Sequence, residues 1–72
     1  VTRVLFVEGR NEDALRTFAS TLSSPWRLLS RPEQRLFLLE TTGAGEDAER
    51  AAAELDGVRS WAFDVVDEHP GG

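Results

Sequence analysis

Short apolar runs alternate with amphipathic stretches along the chain, and the pattern predicts six elements. "TRVLFVE" (residues 2–8) carries the apolar run Val4 to Val7 and closes on Gly9, as a strand ended by a turn does. Asn11 then stands as an N-cap, with Glu12 and Asp13 in the first helical turn, where the helix dipole favours anions. Leu15, Phe18, Ala19 and Leu22 follow at i, i+3, i+4 and i+7, one face of a helix that Ser23, Ser24 and Pro25 end. "WRLLSR" (26–31) reads as a second strand, "PEQ" as a turn and "RLFLLET" (35–41) as a third strand, so these two form a hairpin. Gly43 and Gly45 mark the next break. A second helix begins with Glu46, Asp47 and Glu49, presents Ala48, Ala51, Ala52 and Leu55 inward, and stops at Asp56 and Gly57. "VRSWAFDVV" (58–66) is the fourth strand.

The order β-α-β-β-α-β, joined by right-handed crossovers, predicts an α+β ferredoxin-like fold. Its antiparallel four-stranded sheet has the spatial order 4-1-3-2, with both helices on one face. Residues 1–66 make one domain and 67–72 a flexible tail. The first and third strands, which carry the unbroken apolar runs, fall in the centre. A sheet covered on one side needs apolar residues on one face only. Alternation sets Leu5 and Val7 on one face and Val4 and Phe6 on the other, and separates Phe37 and Leu39 from Leu36 and Leu38 in the same way, so one apolar set is surplus to a one-sided core and forms a patch that a partner covers. Trp61 shares a side of the fourth strand with Phe63 and Val65, and this side is expected to pack in the core. Trp26 is assigned to neither face.

Composition narrows the chemistry. The 72 residues include no cysteine, which excludes disulfides and thiolate-bound metals. All eight basic residues are arginine, against 13 acids, and the net charge of −5 argues against a dedicated, tight nucleic-acid binder. Placement tempers that sum: Arg3, Arg27, Arg31, Arg35 and Arg59 lie on or beside strands, whereas Glu12, Asp13, Glu46, Asp47, Glu49 and Glu54 lie on helices. An acidic back and a more basic sheet edge around the second and third strands follow. No stretch approaches the roughly 18 apolar residues of a membrane span, and no signal peptide opens the chain, so an intracellular protein, cytoplasmic or nuclear, is expected away from membranes. Catalysis is not expected, since His69 is the only histidine and "TTGAGED" lacks the lysine and spacing of a phosphate loop. Asp64, Asp67, Glu68 and His69 have metal-ligand chemistry but lie at the chain end, and the reading assigns no metal and no cofactor.

"LFVEG" (5–9) is similar to the first-strand ribonucleoprotein motif of the RNA-recognition-motif (RRM) family. "QRLFLLET" (34–41) falls where the third-strand motif lies, and "EDAERAAAELDG" (46–57) resembles the second helix of many such domains. The resemblance implies that Phe6 stacks on a base, which puts Val4, Phe6, Leu36 and Leu38 on the open face and Leu5, Val7, Phe37 and Leu39 on the helix side. It puts Leu36 and Leu38, which have no rings, at the other two stacking positions, and Gln34 and Arg35 at the motif's opening basic residue and glycine. It implies a non-catalytic module whose open face engages a protein partner or, weakly, single-stranded RNA, through Phe6, Val4, Leu36, Leu38, Arg27, Arg31 and Arg35. "LDGV" (55–58) is also similar to the end of the second helix in ACT domains and subtilase propeptides. Those resemblances imply a homodimer that binds a small ligand, or a protease inhibitor acting through its tail.

Overall fold

A computed structural model of the chain describes residues 1–66. The expected tail, with Asp67, Glu68 and His69, lies outside the described residues. The elements are β1 (Thr2–Gly9), α1 (Glu12–Ser20), β2 (Trp26–Arg31), β3 (Leu36–Thr42), α2 (Glu46–Ala53) and β4 (Arg59–Val65). β1 pairs antiparallel with β3 and β4, and β2 pairs antiparallel with β3, so the sheet runs β2-β3-β1-β4. This is the expected ferredoxin-like order, read from the other edge.

Local chemistry sets the helix ends. The Asn11 side-chain oxygen accepts the Ala14 backbone N–H at 3.2 Å, which caps α1. α1 ends at Ser20, before the serines at 23 and 24. Thr21 and Leu22 donate to the Phe18 and Ala19 carbonyls at 3.0 and 2.9 Å, a tightened last turn that leaves Leu22 packed on the core.

Leu5, Val7, Leu15, Phe18, Ala19, Leu39, Ala44 and Ala52 form the buried cluster, with Leu22, Phe37, Ala48 and Leu55 packed against it. The inward-facing set read from the sequence is thus the core, except for Ala51, which lies on the exposed flank of α2. Thr41 is a buried polar addition, and its hydroxyl is satisfied by donating to the Pro25 carbonyl at 2.8 Å.

The structure corrects two placements. β3 begins at Leu36, because "PEQ" forms a 3-10 turn and Arg35 closes it at φ 52°, in left-handed backbone outside the strand. Trp61, Phe63 and Val65 stand on the open face, opposite Phe6, Val4 and Thr2, while Ala62 lies opposite the core residue Leu5. The cause is close packing. α2 turns only alanines and Leu55 toward the sheet, and the chain before β4 crosses so near β1 that a Cβ on Gly9 would stand 2.9 Å from Val58 Cγ1. Ser60 and Ala62, the smallest side chains of β4, take the helix side. Gly9→Ala should therefore destabilise the domain by about 1–3 kcal/mol through overpacking, measured as a shift in the urea midpoint. A neutral result would mean that Val58 is free to move aside.

Candidate functional site

The open face is built from strand register alone. Side chains opposite one another across an antiparallel pair share a face, so the pairings define its rows. Phe63, Val4 and Thr42 form one row, and Trp61, Phe6, Glu40 and Arg27 the next. Arg59, Glu8, Leu38 and Leu29 follow, and Leu36 and Arg31 close the face. The molecule is only 17 Å through its smallest dimension, the thickness of one helix layer on one sheet, and no described element covers these rows.

Phe6 sits between two rings. Its centroid is 5.7 Å from Trp61 at 20° between planes and 5.5 Å from Phe63 at 24°. Near-parallel rings at these separations form an offset stack, the favoured geometry for aromatic quadrupoles. Trp61 and Phe63 remain 42% and 44% exposed, so the stack is available to solvent on its outer side. Val4 is nearly covered, whereas Phe6, Leu36 and Leu38 are half-buried. Leu29, exposed, joins Leu36, Leu38, Glu8 and Arg31 around a shallow depression of about 140 Å³. Trp26 lies opposite Thr41, in a helix-side row at the rim of the sheet and apart from the stack.

The arginines divide into two groups. Arg3 donates from Nε and Nη2 to both Glu49 oxygens at 3.0 Å and from Nη1 to Asp64 at 3.1 Å, tying β1 to α2 and β4. Arg27 donates to Glu40 at 2.9 and 3.2 Å, so this residue of the expected cationic edge is neutralised by its cross-strand neighbour. Arg10, Arg31, Arg35 and Arg59 make no ion pair among the described residues. β1 and β2 end where β3 and β4 begin, and this topology brings all four to one end of the sheet. Arg50 on α2 is likewise without an ion pair among the described residues, but the four unpaired cations of the sheet mark one of its ends rather than the β2–β3 edge. Glu8 stands among them, and Gly9, Arg10, Leu36 and Arg59 line a second depression there, of about 230 Å³.

Arg3 holds the Glu49 carboxyl below its ordinary range, chiefly through the paired side-chain hydrogen bonds. A carboxylate whose pKa is lowered in the folded state stabilises the fold above its unfolded value, and that contribution is lost as pH falls through the lowered value. Arg3→Ala should accordingly lower the urea midpoint at neutral pH and shrink the difference between neutral and acidic midpoints. Equal pH dependence in parent and variant would show that the pair contributes nothing.

No group of three or more His, Cys, Asp or Glu side chains is arranged to hold a metal among the described residues, and Asp64 is committed to Arg3. No helix among them is long and apolar enough to cross a membrane. A depression of about 390 Å³ lies away from the open face between the end of α1 and the start of α2, and its one charged lining residue is Asp47.

Trp61, Phe63, Leu29, Arg59 and Arg10 belong to this face and its basic end but not to the set read from the sequence. The signal for Trp61 and Phe63 was the alternation of Ser60 and Ala62 with large residues, facing an alanine-rich helix. No protein-family profile matches the chain, and no curated protein matches its sequence.

Proposed function

We propose that the chain is a non-catalytic, RRM-like binding module that holds single-stranded RNA weakly on its open sheet face. The observation that carries this reading is the exposed stack of Phe6, Trp61 and Phe63. RRM-like recognition needs rings on which bases can lie, and the third-strand leucines supply none. Trp61 and Phe63, one strand over, supply two beside Phe6. A base lying on such a ring gains about 1–3 kcal/mol, whatever its identity. Arg59 and Arg31 stand at the end of the same face, with Arg35 and Arg10 beside them, where phosphates would be held. Glu8 and the net charge of −5 oppose the same phosphates and keep the affinity low.

Fluorescence anisotropy with short single-stranded RNA pools at low salt tests the proposal. Binding should weaken with salt at a logarithmic slope of about −0.7 for each phosphate contact. No binding at high micromolar protein removes RNA from the reading.

A protein partner is the second reading, favoured by the exposure of Leu29 beside Leu36 and Leu38, away from the rings. Leu38→Ser would then abolish association with the partner and leave RNA affinity unchanged.

A further inference from the structure

We infer that the outer edge of β4 pairs with β4 of a second copy of this chain, antiparallel about a two-fold axis at Ala62, to make one eight-stranded sheet. The sheet has two edges, β2 and β4, and they are built differently. An edge strand offers unpaired N–H and C=O groups, which monomeric proteins blunt with proline, charge or short length. β2 is six residues long, bounded by Pro25 and Pro32, and carries Arg27 and Arg31. β4 is seven residues long and has no proline within it. Its one acid, Asp64, is held by Arg3 toward the helix side. No described residue pairs with its outer edge.

β4 is also its own complement. Ala62 is the middle of Arg59–Val65, so full antiparallel overlap places it opposite Ala62 of the second copy. Trp61 then meets Phe63, Ser60 meets Asp64, and Arg59 meets Val65, each twice by symmetry. No like charges face each other, and both aromatic pairs are of the kind that stabilises antiparallel strands. This register keeps the open faces of both sheets on the same side, so the ring stack continues across the dyad. On α2, the flank that carries Glu49 toward Arg3 also carries Ala53, whose small side chain leaves room where the two helix layers meet. The interface is isologous, as a two-fold dimer requires.

Sedimentation velocity of the full chain, from low micromolar to near-millimolar concentration, should show a monomer–dimer equilibrium. Phe63→Lys should weaken the dimer about tenfold by removing both aromatic pairs and charging the edge. Leu38→Lys, two strands away on the same face, should leave it unchanged. The chain has no cysteine, so an oxidised mixture of Arg59→Cys and Val65→Cys chains, exposed positions that this register sets opposite each other on the open face, should give the mixed disulfide in preference to either homodisulfide on a non-reducing gel. This arm stands even where Phe63→Lys fails to fold by circular dichroism. A monomer at every concentration, a dimer without the mixed disulfide of Arg59→Cys and Val65→Cys, or a dimer broken by Leu38→Lys but not by Phe63→Lys would each overturn edge pairing. None of these outcomes bears on RNA affinity, which is read separately.

Discussion

Leu39→Ala should cost the domain about 2–5 kcal/mol of folding stability, whereas Leu38→Ala, one residue earlier, should cost about 1 kcal/mol or less. The two side chains have the same size and sit in the same unbroken run. Leu39 is fully buried between Val7 and Leu28 in the helix-side row, within reach of α1, so truncation leaves a cavity as well as removing apolar contact. Leu38 shares its row with Glu8 and Leu29 on the open face, where water fills the space a truncated side chain vacates. Small domains are held by only a few kcal/mol, and the larger loss should move the urea midpoint by a large fraction of its value. Equal losses at the two positions would mean that β3 is shifted by one residue, since such a slip exchanges the faces of every side chain in the strand.

Trp61→Ala should reduce affinity for single-stranded RNA by about 5- to 150-fold, the range set by about 1–3 kcal/mol for one base on one ring. Phe6→Ala should act similarly, though Phe6 is flanked by both other rings and is the less exposed. Trp61 is surface-exposed and lies outside the buried cluster, so its removal should leave the fold intact by circular dichroism. Arg59→Ala isolates the other half of the site, and by removing one phosphate contact it should make the salt slope shallower by about 0.7. Anisotropy across a salt series reads both effects at once. Affinity that survives Trp61→Ala but drops in Arg59→Ala would mean that phosphates alone are held, without stacking.

Period and punctuation along the chain determined the elements, their order and the residues of the core. Leu15, Phe18, Ala19 and Leu22 declare a helix face, Asn11 its start, and Gly9 and Gly57 the chain breaks, because each signal is local and acts within a few residues. Crossover handedness then left one sheet order, and alternation in β1 and β3 sorted Leu5, Val7, Phe37 and Leu39 from Val4, Phe6, Leu36 and Leu38. The site was less legible. Alternation shows that Trp61, Phe63 and Val65 share a side of β4 but not which side, and hydrophobicity alone points the large residues inward. Only the tertiary structure decided otherwise: the register with β1 sets Ala62 opposite the core residue Leu5 and Trp61 and Phe63 opposite Phe6 and Val4, where the three rings stack. The charges followed the same rule. Sequence placed the arginines near strands, but it took the register to pair Arg27 with Glu40 and Arg3 with Asp64, the helix docking to pair Arg3 with Glu49, and the antiparallel topology to gather Arg10, Arg31, Arg35 and Arg59 at one end. Local spacing fixes which residues share a side of an element, whereas the side that faces solvent, and the charges that meet there, depend on contacts between residues far apart in the chain.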